Sequence, residues 1–146
     1  EQGEAISFGN LIHEIMAKIA VVSDVSKVVN QYIRTGFVDA FSVYNLEKTI
    51  NSIVKHPEIV TYFKEGNLVY TEREFITVDG QIIIPDRLII NGETNKATII
   101  DYKTGAPSNK HHQQIQKYGL SLESFGYVIE KKILIYIGDK ITIEEI

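Results

Sequence analysis

Residues 82–105, IIIPDRLIINGETNKATIIDYKTG, combine two strongly β-branched apolar runs with a turn rich in Gly, Asn, Glu and Thr. That pattern dictates a β-hairpin. Each run carries one acid where a core side chain belongs, Asp86 in the first and Asp101 in the second. A hairpin turning about its polar midpoint, between Glu93 and Thr94, sets Asp86 directly opposite Asp101. Side chains alternate with period two, so Lys103 shares the Asp101 face, and Cβ atoms of an opposed pair stand about 4.5–5.5 Å apart. Two carboxylates and an ammonium group are thus expected to converge on one point.

Opposed carboxylates repel, and burying them is costly unless a proton, a cation or a metal intervenes. A hard divalent cation such as Mg²⁺ answers the need, because it takes oxygen ligands, usually one or two carboxylates with water completing the shell. The alternative is a surface hairpin on which Asp86 pairs with Arg87 or Lys103 and nothing is bound. The segments RLII and ATII around the two acids call for burial, which favours a site.

The chain also resembles a known family, on motifs that run in the family's order from residue 9 to 118. They are Gly9 to His13 (G-x-x-x-H), Glu72 to Phe75 (E-x-x-F), Pro85-Asp86-Arg87-Leu88, Asp101-Tyr102-Lys103-Thr104-Gly105, and His111, Gln114 and Tyr118 (H-x-x-Q-x-x-x-Y). The chain looks like the nuclease domain of the RecB/AddA type within the PD-(D/E)XK superfamily, found at the C-terminal end of bacterial helicase-nucleases that process DNA ends. Two positions depart from the pattern. Ile83 stands where the family has glycine three positions before the aspartate, and Pro85, which cannot donate to a ladder, is expected to bend the strand or leave it partly unpaired.

With 146 residues and 44% hydrophobic content, the chain can bury one ordinary core, and a single domain is expected. No apolar run is long enough to cross a bilayer, and acidic residues 1–4 give no cationic start to a signal peptide, so a cytoplasmic protein is expected, to which the resemblance adds a bacterial, nucleoid-associated activity. With no cysteine the chain has no disulfide, thiolate zinc site or iron–sulfur cluster, which sets aside the cluster-bearing relatives. The absence of an initiating Met suggests a fragment of a longer polypeptide. A net charge of −4 disfavours tight free-standing binding to nucleic acid. Tethering to a helicase would supply the strand by effective concentration.

In residues 5–22, Leu11, Ile12, Ile15, Met16 and Ile19 lie at helical spacing, with Ser7 as the expected N-cap and His13 beside the stripe. Further helices are expected over 24–36, capped by Asp24 or Ser26, and over 46–56, with Gly36 and Pro57 as stops. His56 is placed at a helix end favoured by the macrodipole. Tyr32, Phe37, Phe41, Tyr44, Tyr62 and Phe63 could stack on unpaired bases, although packing explains most of them. Residues 68–78 alternate as one strand, which the Asp79-Gly80 turn pairs with residues 81–90. A loop over 106–110, a helix over 111–124 and a final hairpin over 131–146, turning at Gly138-Asp139, complete the chain. The predicted fold is α/β (α+β), a restriction-endonuclease-like αβββαβ core with a mixed sheet flanked by helices.

The resemblance implies metal-dependent hydrolysis of phosphodiester bonds in DNA, as an exonuclease on single-stranded ends in double-strand-break processing and recombination repair. It implies that His13, Asp86, Asp101 and the backbone carbonyl of Tyr102 bind one or two Mg²⁺ or Mn²⁺ ions, and that Lys103 orients water or neutralises charge on the phosphorane. Glu72, chosen over Glu74 for its spacing to Phe75, would lie near the metal. Gln114, Tyr118, His111 and Arg87 would meet DNA or line the cleft, with Lys110 near a phosphate. DNA, the helicase domain and a second nuclease subunit are the implied partners. A catalytically inactive fold that grips DNA or a partner subunit, and an unrelated scaffold with a chance D-Y-K, are the alternatives.

Overall fold

A computed structural model describes residues 2–36 and 40–146. The chain divides into two compact units, Glu1–Glu65 and Gly66–Ile146. The first is helical, with α1 (Gln2–Met16), α2 (Asp24–Arg34), α3 (Ala40–Val54) and a short 3-10 turn at Val60–Phe63. The apolar stripe of α1 drives it inward: Ile12, Ile15 and Met16 are fully buried, as are Ile19 in the turn that follows and Leu46, Ile50, Ile53 and Val54 of α3. Burial of this kind contributes about 1.5–3 kcal/mol per large aliphatic side chain and outweighs the weak helix preference of β-branched residues.

Helix boundaries differ from those predicted. α1 begins five residues ahead of Ser7 and closes at Met16 instead of 22. There Lys18 and Ile19 donate to carbonyls three residues back, which tightens the coil and turns the chain. Asp24 does not cap α2; its carboxylate accepts from the Ala20 and Val21 amides and fixes the turn before it. α3 starts at Ala40, six residues early. His56 accepts from the Glu58 amide through Nδ1, a bond that serves the following turn and not the dipole of α3. Phe37 and the side chain of Phe41 lie outside the described residues. Among the described residues no helix is long and apolar enough to cross a membrane.

The second unit is a mixed five-stranded sheet in the order β1-β4-β5-β6-β7, with β1 Leu68–Thr71, β4 Arg87–Ile90, β5 Ala97–Lys103, β6 Ile129–Ile137 and β7 Ile141–Glu145. All neighbours run antiparallel except β5 and β6, which are parallel and joined through α4 (Asn109–Ser124). A parallel connection needs such a crossover. One face of the sheet, with Leu88, Ala97, Ile99, Leu134 and Tyr136, forms a core with Ile115 and Leu122 of α4. Gly119 lets α4 approach the sheet: a Cβ there would stand 3.0 Å from Lys132 Cδ.

The single strand predicted over 68–78 is broken. β1 ends at Thr71, Glu72 takes φ +50, and pairing resumes only in a separate ladder of β2 (Phe75–Ile76) with β3 (Ile82–Ile83). Thr71 opposes Arg87 and Phe75 opposes Ile83, so one hairpin register persists across the gap. Pro85 supplies the break on one side and the left-handed backbone at Glu72 on the other. Between them the Glu72 amide still donates to the Asp86 carbonyl at 3.1 Å. The hairpin closes through Thr77 and Gly80, the latter at φ +82.

Candidate active site

The β4–β5 hairpin fixes the site. Its turn is set by Asn91, whose side chain accepts from the Glu93 and Thr94 amides at 2.8 and 3.0 Å, while its backbone amide donates to Lys96. Gly92 cannot be replaced without movement, since a Cβ there would lie 2.0 Å from the Gly66 carbonyl oxygen. The resulting register sets Arg87 opposite Ile100 and Leu88 opposite Ile99. One step further, where the ladder stops, Asp86 meets Asp101.

The two acids lock each other through the backbone. Asp86 N–H donates to Asp101 Oδ1 at 2.9 Å, and Tyr102 N–H donates to Asp86 Oδ2 at 2.8 Å. Ladder bonds are exchanged for carboxylate–amide bonds, which hold both carboxyl groups in fixed positions at a strand end. Lys103 Nζ lies 3.5 Å from Asp101 Oδ2 and donates to Gln114 Oε1 on α4 at 2.6 Å. Asp101 is 3% exposed. Burial first, and the neighbouring Asp86 charge second, push its carboxyl up to about 7, against the opposing pull of the Asp86 amide and Lys103. Tyr118, also on α4, feels the same two acids; burial and their charges raise its phenol to about 12, so it stays protonated.

The acid pair has the chemistry of a cation site. Each carboxylate carries two oxygens with about four lone-pair sites, so accepting from a backbone amide does not by itself prevent it from ligating a cation. A group pushed to about 7 by burial and a like charge is one that a divalent cation would discharge. Among the described residues of this unit, no third His, Asp or Glu joins the pair as a ready-made cluster. Glu72 and Glu74 are both exposed.

Arg87 requires correction. Expected at the DNA-facing cleft, it is fully buried. Alternation along β4 turns it to the face opposite Asp86, where it stands at the buried Tyr102 hydroxyl. Burial raises that phenol to about 12, with Arg87 opposing. His111 has a partner that the sequence did not reveal: its Nδ1 is 3.0 Å from the Tyr136 hydroxyl. Burial and then the nearby Lys103 charge lower its pKa. Tyr136 lies opposite Lys103 in the parallel β5–β6 register. Only that long-range pairing brings it there, so no local signal could have found it. Ser108 caps α4 by accepting from the Lys110 amide.

In the helical unit, His13 Nδ1 lies 2.9 Å from the Gly9 carbonyl. A carbonyl only accepts, so Nδ1 carries a proton and donates it back along α1.

Residues 1–132 match the sequence model of the PD-(D/E)XK nuclease superfamily. The chain belongs to that superfamily. PD-(D/E)XK proteins generally hydrolyse phosphodiester bonds, usually with a divalent metal such as Mg²⁺, and the mixed sheet with its crossover helix is consistent with their restriction-endonuclease-like core. The segments Pro85-Asp86 and Asp101-Tyr102-Lys103 read P-D and D-x-K in sequence. No curated protein matches the chain. Among solved structures, the crystal structure of SSO0001 is similar at 23% identity and a TM-score of 0.40, over 92% of this chain and 65% of that one.

Proposed function

We propose that the chain is a metal-dependent DNA nuclease of the RecB/AddA type, hydrolysing single-stranded ends within a helicase-nuclease that processes double-strand breaks. The observation that carries this reading is the mutual lock of Asp86 and Asp101 with Lys103 3.5 Å from the second acid. Asp86, Asp101 and the Tyr102 carbonyl are the proposed ligands for Mg²⁺ or Mn²⁺. A bound cation supplies Lewis-acid polarisation of a phosphate oxygen and a water acidic enough to serve as nucleophile near neutral pH.

The chain's own groups supply the rest. Lys103, held by Gln114, offers positive charge where negative charge accumulates on the phosphate oxygens, an interaction that strengthens as the reaction proceeds. Tyr118 keeps its proton and can donate to a phosphate oxygen. His111, tied to Tyr136, and Lys110 at the start of α4 line the approach. Glu72 acts through the backbone, its left-handed turn holding the Asp86 carbonyl.

End-labelled single-stranded and duplex DNA, incubated with the protein in Mn²⁺ or in chelator, tests the proposal. Shortening of the single strand in Mn²⁺ alone, absent with Asp101→Ala, is expected. Cleavage that survives chelation would overturn the metal-dependent mechanism, and intact strands in every lane would leave the fold a non-hydrolytic binder.

A further inference from the structure

An unbroken strand would turn Tyr70 and Arg73 to opposite faces of the sheet, because side chains alternate with period two. The left-handed backbone at Glu72 cancels one step of that alternation. Arg73 consequently lies on the Tyr70 side, its guanidinium carbon 4.4 Å from the centre of the Tyr70 ring and 5.9 Å from that of Phe75. Tyr70 opposes Leu88, and both pack with Ile99 in the core that Ile115 of α4 completes. Asp101 and Lys103 follow Ile99 along β5 at steps of two, so they share its face. Arg73 is therefore a cation on the acid pair's side of the sheet.

It also stands beside the pair. The Glu72 amide donates to the Asp86 carbonyl at 3.1 Å, and the register that sets Thr71 opposite Arg87 and Phe75 opposite Ile83 puts Arg73 across from Pro85, the neighbour of the first acid. β1 is an edge of the sheet and β5 lies beyond β4, so the two carboxylates have Arg73 on one flank and Lys103 on the other. Arg73 is exposed, and among the described residues no carboxylate forms an ion pair with it, although Glu72 and Glu74 adjoin it in sequence. Cation–π attraction to the two rings restrains the side chain and leaves its N–H donors for an anion. A planar fork of donors matches the oxygens of a phosphate. Covering the rings would need only the methylene stem, whereas the charge calls for a partner of opposite sign.

We propose that Arg73 binds a backbone phosphate of the substrate strand next to the scissile one, so that the strand lies across the acid pair between Arg73 and Lys103. This inference rests on the nuclease reading and adds the residue that positions the strand on the edge-strand side of the site. It also gives the break at Glu72 a consequence beyond its bond to Asp86, since without that break the guanidinium would be carried to the other face of the sheet.

The test is fluorescence anisotropy in chelator, so that no cleavage occurs, over a range of salt concentrations, with oligothymidylate and an abasic strand of the same length as probes. Arg73→Met keeps an unbranched stem over the rings and removes the charge. It should weaken binding of both probes about tenfold at low salt, the scale of one charge-assisted bond, and make log affinity fall less steeply with log salt by about 0.7, the share of one phosphate contact on a single strand. Arg73→Lys, which restores the charge without the fork, should return the wild-type slope. Lys96→Met, in the turn at the far end of the β4–β5 hairpin, should change neither quantity. A Met variant with the wild-type slope would overturn the proposal and leave Arg73 a cover for the rings. Equal losses in Lys96→Met would overturn it as an effect of overall charge, and a loss seen with oligothymidylate but not with the abasic strand would replace the phosphate contact by base stacking. If the wild type binds neither probe, the nuclease reading fails as well, whereas binding that Arg73→Met leaves intact removes this inference alone.

Discussion

Cation binding should displace a proton from Asp101, and the size of the effect follows from its surroundings. Burial and the Asp86 charge hold that carboxyl at about 7 in the metal-free fold. In an unfolded chain it would ionise near 4. One pH unit below the folded value leaves about a tenth of the molecules ionised and one unit above leaves about nine-tenths, so Mn²⁺ affinity should rise about tenfold between pH 6 and pH 8. Calorimetric titration in buffers of different ionisation enthalpy would count the proton: about 0.9 released per cation at pH 6 and about 0.1 at pH 8. The sign for stability follows from the same shift. The folded state holds this proton more tightly than the unfolded chain, so the contribution of Asp101 to metal-free stability should be fully present below about pH 4, be lost between pH 4 and 7, and level off above, with a ceiling of about 4 kcal/mol. Asp101→Asn keeps an oxygen for the Asp86 amide and removes the charge. It should raise the metal-free melting temperature at pH 8 while abolishing Mn²⁺ binding. Affinity that is flat from pH 6 to 8 with no proton release, or an Asn variant less stable than wild type at pH 8, would refute the reasoning.

Lys103→Ala should lower turnover about 10²–10³-fold, the scale of losing one electrostatic stabiliser, while changing Mn²⁺ affinity much less, as single-turnover rates beside calorimetry would show. Gly92→Ala should destabilise the protein by about 2 kcal/mol or more in urea unfolding, since its Cβ would meet the Gly66 carbonyl at 2.0 Å. Arg87→Ala should cost about 3 kcal/mol in the same assay by removing a fully buried guanidinium from beside Tyr102. The folded fraction should bind a single strand as wild type does, because Arg87 presents nothing to solvent.

The acid pair was legible because two short-range rules fix it. Turn chemistry around Asn91 sets the hairpin centre, and strict alternation carries that register to Asp86, Asp101 and Lys103. The same alternation already held the answer for Arg87: adjacent residues on a strand face opposite ways, so Arg87 could not share a cleft with Asp86. Its charge and its place in the motif masked that parity. The break in the first hairpin was half readable. Pro85 announced it on one strand, but a glutamate gives no sign that it will adopt a left-handed backbone, and Glu72 does so opposite the site. His111 and Tyr136 meet only because β6 returns parallel to β5 through α4, a register with no local signature. At α1, burial of the apolar stripe located the helix, whereas its ends depend on tight turns that periodicity does not report.

The account stands on Asp86, Asp101 and Lys103 forming one hydrolytic centre that needs a cation, and a single-turnover rate of single-strand cleavage in Mn²⁺ addresses that directly. Wild type should cleave, with Asp86→Ala and Asp101→Ala reduced to the chelator background and Asp86→Ala/Asp101→Ala no slower than either alone, as expected of groups that act as a unit. Cleavage by Asp101→Ala at the wild-type rate would contradict it.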